Sequence, residues 1–132
     1  MARAWSPLAD VICDTSFLMH MATTRVRNID SLGDEIGEVS FVVPRVVLVE
    51  LDRILRRGDA RSDDARRTME FARGLRTVQM GAGAATADDA ILSHAAARGG
   101  IVATMDRGLK RRLRERGCSI MSFSNDRIIL EP

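Results

Sequence analysis

The stretch IVATMDRGLKRRLRERG, residues 101–117, ends a β-branched apolar run on one carboxylate, Asp106, and follows it with six cationic side chains and one anionic one. An acid at a strand end beside a dense cationic run suits chemistry on phosphate. Carboxylates can hold a cation at the reacting phosphorus while guanidinium groups neutralise the flanking phosphates. Asp14, which follows the apolar VIC, stands in the same local situation. Taken alone, each of these acids reads equally as the N-cap of the helix that follows it.

Glu50 is harder to explain structurally. At 100° per residue it shares a helix face with Val46, Val47 and Ile54, and a carboxylate on an apolar stripe is costly unless paired or metal-bound. Asp52 falls on the polar side, where a solvated or ion-paired acid is expected. Asp88 and Asp89 open another helical segment. Asp88 lies three and four residues before Ile91 and Leu92, on the core-facing side, whereas Asp89 stands three residues after Thr86 in a capping-box pattern. One of the two is therefore free to point into a site, and spacing leaves open which.

Three or four carboxylates brought together repel one another without a cation, and an all-oxygen ligand set selects Mg²⁺ or Mn²⁺. The chemistry that follows is in-line attack of an activated water on a phosphodiester, with one or two ions. In the basic segment, Leu109 and Leu113 make the i, i+4 core contact. Lys110, Arg111, Arg112, Arg114 and Arg116 are expected to face water, and Arg107, Lys110, Arg111, Arg112 and Arg114 to contact nucleic-acid phosphates.

These acids require a fold that gathers strand ends. Short β-branched runs alternate with longer helical ones: strands at DVICD, FVV, RTVQM, IVATM, CSIMSF and RIIL, and helices at FLMHMA, 44–57, 62–74, 88–98 and 107–116. Pro44 is expected at a first helical position, Ser62 as an N-cap, and GAGAATA as a mobile connection. The alternation predicts an α/β fold, a three-layer α/β/α domain with a central, mostly parallel sheet, in one domain over residues 1–132. In such sheets ligands bind beyond the carboxyl ends of the strands, so Asp14 and Asp106 meet if their strands are neighbours.

Composition narrows the setting. Cys13 and Cys118 sit in apolar runs without metal-ligand spacing, which predicts reduced thiols in a cytoplasmic protein and no structural zinc. No apolar run reaches membrane-spanning length and no secretory signal is evident, so no membrane partner is expected. The net charge of +2 conceals +5 on residues 107–116. His20 and His94 lie in apolar helical surroundings and are expected to be partly buried rather than catalytic, and the methionines to fill the core. With few aromatic side chains for base stacking, nucleic-acid binding should be salt-dependent with weak base readout.

The ordered set ICDTSFLM, VPRVVLVELDRI, ADDAILSHAAARGGIVATMD and RGLKRRLRERG resembles the PIN-domain ribonucleases over nearly the whole chain. In flavour it is nearest the archaeal and eukaryotic small-subunit rRNA-processing members, with VapC-type toxins as the neighbouring branch. The resemblance implies a Mg²⁺- or Mn²⁺-dependent endoribonuclease acting through Asp14, Glu50, Asp89 and Asp106, with Asp88 the rival of Asp89 as ligand. Thr15, Ser16 and Thr104 match supporting positions. Gly108 stands where many members carry a further acid, and Ser16 where many carry Asn. Implied partners are RNA, structured or single-stranded and including rRNA, a second copy of the chain, and an antitoxin or ribosome-assembly factor. A non-catalytic RNA-binding scaffold and a toxin ribonuclease are the competing readings. A phosphoacceptor receiver domain fits poorly, because the final strand lacks its lysine.

Overall fold

The computed structural model describes residues 9–81 and 86–132. Most of the GAGAATA connection, and Trp5, lie outside the described residues. The elements run β1 (Ala9–Cys13), α1 (Thr15–Thr23), α2 (Leu32–Ile36), β2 (Val39–Pro44), α3 (Arg45–Arg57), α4 (Ser62–Ala72), β3 (Arg76–Val78), α5 (Ala87–Arg98), β4 (Ile101–Ala103), α6 (Arg107–Glu115), β5 (Ser119–Ser124) and β6 (Arg127–Leu130).

The strands form one sheet in the order β3-β2-β1-β4-β5-β6, parallel throughout except for β6, which returns antiparallel along β5. With helices packed over it, this is the expected three-layer α/β/α arrangement. The chain builds outward from β1 through β2 to β3, then crosses to β4 on the other side of β1. The reversal of strand order therefore falls between β1 and β4, the neighbours that carry Asp14 and Asp106 at their ends. Val11, Cys13, Val43, Val102 and Ala103 are fully buried, as the continuous apolar runs of a covered parallel sheet require. Phe17 fills the space between α1 and the sheet, fully buried with its ring 5.1 Å from that of Phe123, a burial worth about 1.5–3 kcal/mol.

Several expected boundaries shift. Pro44 closes β2 and caps α3 in an extended conformation (φ −65°, ψ 142°) instead of opening the helix. Ser62 is the first residue of α4, and Arg61 occupies the cap position without a side-chain cap bond. β4 ends at Ala103 because Thr104 and Met105 lead out of the pairing with β1 toward α6. The short α2 is absent from the sequence reading: it buries only Leu32, which gives no apolar period to detect.

An edge strand such as β6 exposes backbone groups that invite further pairing. Here Asn28, 2% exposed, covers part of that edge. Its Oδ1 accepts from the Ile128 N–H at 2.8 Å and its Nδ2 donates to the Ile128 carbonyl at 2.9 Å. Nδ2 also donates to Glu35 at 2.8 Å, tying the edge to α2. Asn28→Ala leaves two buried backbone groups of Ile128 unpaired and is expected to cost about 2 kcal/mol, read as a lower urea midpoint at unchanged slope. An unchanged midpoint would show that water replaces the amide at no cost.

Candidate functional site

Parallel pairing of β1 and β4 sets Cys13 opposite Ala103, so Asp14 and Thr104 are the next residues beyond the ladder. The Asp14 N–H still reaches the Ala103 carbonyl at 3.0 Å, and the Thr104 N–H reaches Met121 on β5 at 3.0 Å. Both side chains are buried, Asp14 to 4% exposure and Thr104 to 0%.

The Asp14 carboxylate receives three donors. The Phe17 N–H bonds Oδ1 at 2.8 Å, which makes Asp14 the N-cap of α1. The Ser16 hydroxyl lies 2.8 and 3.0 Å from the two oxygens, and the Thr104 hydroxyl donates to Oδ2. Each hydroxyl is oriented in turn by a backbone donor: Ser16 accepts from the Met105 N–H at 3.0 Å, and Thr104 from the Asp106 N–H at 3.0 Å. Three donors on about four lone-pair sites leave one site open for a cation. Burial dominates the electrostatics and, with a smaller push from Asp88, raises the Asp14 carboxyl to about 6 despite these bonds.

Asp14, Glu50, Asp88 and Asp106 all line one cavity of about 310 Å³, whose apolar floor includes Val47, Ile54 and Ile91. Asp106 caps α6, its Oδ1 accepting from the Leu109 N–H at 2.9 Å, so capping and cavity lining coincide in both strand-end acids. A Cβ at Gly108 would stand 3.2 Å from Asp106 Oδ1, so the missing side chain leaves the flank of that carboxylate open.

Glu50 requires a correction. It is exposed, not part of the buried stripe of α3, which consists of Val47, Leu51 and Ile54. It lies at the edge of that stripe where the helix overhangs the strand ends, so water solvates it and no burial cost arises. Its Oε1 accepts from the Thr15 hydroxyl. Asp52 is paired with Arg56 at 2.7 Å on the polar side, as expected.

The two adjacent acids of α5 separate. Asp88 lines the cavity, and its carboxyl is raised by burial and then by Asp106 and Glu50. Asp89 is absent from the cavity lining: its N–H bonds Thr86 at 3.1 Å, and its carboxylate bonds Arg112 at 2.8 Å, which holds it below the usual range. Adjacent helical residues differ by 100°, so with Ala90, Ile91, Leu92 and Ala95 of α5 buried, Asp88 faces the cavity and Asp89 turns out to meet Arg112.

The basic helix also departs from expectation. Lys110 does not face water: it bonds Glu131 at 2.5 Å, with the side chains 16% and 13% exposed. Arg114 joins the same carboxylate, and Arg112 is committed to Asp89. Arg107 and Arg111 remain exposed. Sequence reasoning passed over three cavity-lining cations, Arg53, Arg57 and Arg61. The signal was available, since Arg53 and Arg57 stand three and seven residues after Glu50 and share its helix face.

His20 and His94 are partly buried and lie outside this cavity. Both cysteines are free, and burial together with the neighbouring Asp14 pushes the Cys13 thiol far up. Met80 and Met121 belong to the core, and Met19, Met21, Met69 and Met105 pack against it. Phe71 and Met69 of the TMEFARGL segment also pack against this core.

Among the described residues, no three His, Cys, Asp or Glu side chains are gathered closely enough to hold a metal ion between them. The acids flank the cavity from four elements, an open all-oxygen arrangement of the kind Mg²⁺ or Mn²⁺ completes with water and substrate phosphate. The donor set therefore fits such an ion.

A carboxyl raised from the ordinary 3.8 to about 6 costs the ionised folded state about 3 kcal/mol at neutral pH, at 1.36 kcal/mol per unit. The folded state binds the proton more tightly, so this cost grows as pH rises from about 4 to 6 and is absent below. In EDTA, Asp14→Asn is expected to match the parent near pH 4 and to exceed it by about 1–3 kcal/mol above pH 6, as measured by urea unfolding. A variant less stable than the parent at pH 7 would show that the ionised Asp14 strengthens the fold.

No curated protein sequence matches the chain. Solved structures that resemble it include the following three. One is that of the PIN domain endonuclease Utp24, with a TM-score of 0.72 at 24% identity, covering 92% of this chain and 90% of the other. A second is a domain of a functionally unknown protein from Methanocaldococcus jannaschii, with a TM-score of 0.63 at 14% identity and coverage of 88% and 91%. The third is a Pyrobaculum aerophilum protein, with a TM-score of 0.51 at 16% identity and 79% of each chain covered. The profile of the PIN like domain family matches residues 11–125, from β1 into the β5–β6 turn and across all four cavity acids, and the chain belongs to that family.

Proposed function

We propose that this PIN domain is a Mg²⁺- or Mn²⁺-dependent endoribonuclease, acting as one domain. The observation that carries the proposal is the gathering of Asp14, Glu50, Asp88 and Asp106 around one cavity at the strand-order reversal. The likeness to the PIN domain endonuclease Utp24 supports the same reading. Maturation of rRNA is the setting we favour, on the resemblance of the sequence motifs to the rRNA-processing branch.

In this reading the ligands are Asp14, Glu50, Asp88 and Asp106, with Asp88 replacing Asp89. When bound, the ion supplies Lewis-acid stabilisation of charge developing on a phosphodiester oxygen and activation of a water nucleophile. The protein's part is to hold acceptor oxygens still. Thr15 fixes one oxygen of Glu50 and the Leu109 N–H one oxygen of Asp106, which leaves the second oxygen of each for the ion. Ser16 and Thr104 lock the Asp14 rotamer. Burial raises Asp88 first and its neighbouring acids add to that, and a bound cation would offset the repulsion among them.

The test is cleavage of end-labelled RNA in Mn²⁺, Mg²⁺ or EDTA. EDTA and each of Glu50→Gln, Asp88→Asn and Asp106→Asn are expected to reduce cleavage at least about 100-fold, whereas Asp89→Asn changes it less than about tenfold. Loss with Asp89→Asn but not Asp88→Asn would reverse the ligand assignment. RNA binding without cleavage in any metal would favour the scaffold reading. Cuts confined to a precursor of rRNA would separate processing from a toxin's attack on mature RNA.

A further inference from the structure

The most obvious cationic feature of the sequence is the α6 run, yet three of its side chains are already paired within the fold: Lys110 and Arg114 with Glu131, and Arg112 with Asp89. A guanidinium paired with a carboxylate contributes little to counterion release on binding a polyanion. Across the cavity from Asp106 the situation is the reverse. Arg53, Arg57 and Arg61 line it, and among the described residues none of the three meets a carboxylate.

Their placement is built by the backbone. Arg53 and Arg57 stand one turn apart on the face of α3 that carries Glu50, separated by about 6 Å along the axis. Gly58, at φ 68°, ends the helix in the left-handed region, and the Asp59 side chain accepts from the Arg61 N–H at 3.0 Å. This turn brings Arg61 back to the cavity, where its Nη2 lies 3.5 Å from the sulfur of Met19 on α1. The cavity thus carries both signs of charge, with Asp14, Asp88 and Asp106 on one side and Arg53, Arg57 and Arg61 beside Glu50 on the α3–α4 side.

Building on the nuclease reading, we infer that Arg53, Arg57 and Arg61 are the principal phosphate anchor for single-stranded RNA, gripping the backbone next to the phosphate held at the acids. The α6 helix is secondary, acting through Arg107 and Arg111. The anchor is sequence-independent, because guanidinium groups on phosphates read no base. Its loss weakens binding and raises KM, with kcat at saturation largely retained.

The experiment measures fluorescence anisotropy of a labelled 12-nucleotide single-stranded RNA in EDTA across a salt series, with cleavage kinetics in Mn²⁺ alongside. R53Q/R57Q/R61Q is expected to raise Kd at least about tenfold and to reduce the slope of log K against log salt by about 2, at about 0.7 per contact. R107Q/R111Q is expected to do less. R53K/R57K/R61K, which keeps the charge, should retain most binding and guards against a folding defect in the Gln variant. Equal Kd and slope for the Gln variant and the parent, or a larger loss from R107Q/R111Q, would overturn the anchor. Failure of the Lys variant to bind better than the Gln variant, with both folded by circular dichroism, would do the same. Binding that follows these expectations without any cleavage would leave the anchor standing and remove the nuclease reading, so the two fail separately.

Discussion

The register between β1 and β4 is the constraint on which the rest of the site depends. With Cys13 opposite Ala103, Asp14 and Thr104 leave the ladder side by side, and a buried carboxylate meets two hydroxyls and a helix N–H within hydrogen-bonding reach. The N–H groups of Met105 and Asp106 polarise those hydroxyls, so the β1–α1 and β4–α6 junctions become one network. A slip of one residue would turn Thr104 to the other face of the sheet and take its hydroxyl from Asp14, leaving only the local donors, Ser16 and the Phe17 N–H. The strand pairing places Asp14, and the hydroxyls of Ser16 and Thr104 with the Phe17 N–H hold its carboxylate.

Charge is distributed around that network in two different ways. Where cations serve the fold, they are paired: Glu131 gathers Lys110, Arg114 and Ser122, and these partners outweigh the effect of its burial and hold its carboxyl below the usual range. The cluster fastens α6 against β5 and β6, which steadies the helix whose N-terminus carries Asp106. Around the cavity, Asp88 is raised by burial and then by Asp106 and Glu50, while Arg53, Arg57 and Arg61 form no ion pair among the described residues. Unbalanced charge of both signs in one concave site is costly to a free protein and is the ordinary signature of a bound ion and a polyanion.

The antiparallel β6 illustrates a quieter constraint. It adds Ile128 to the core and supplies the chain end that carries Glu131, but it also creates an edge. Asn28 covers that edge from a loop one hundred residues away, and Glu35 of α2 fixes the amide in turn. Local segments with no hydrophobic period of their own are therefore held by polar bonds to the sheet.

By itself the sequence determined the alternation of strands and helices, the parallel sheet, the identity of the acids that end β1 and β4, and the family. These depend on local features: β-branched runs, helical periods, caps, and carboxylates that directly follow apolar strands. Tertiary structure decided what depends on which elements meet. Glu50 reads as buried from a helical wheel because a wheel does not know where the helix overhangs a cavity. Spacing leaves open which of Asp88 and Asp89 faces the site; the fold puts Asp88 in the cavity and Asp89 against Arg112. The α6 cations look free because the acid that takes two of them, Glu131, lies far along the chain, while Arg61 joins Arg53 and Arg57 only through the turn at Gly58. Side-chain type and spacing are written in the chain, but the partner that neutralises a charge, or leaves it open, is set by contacts distant in sequence.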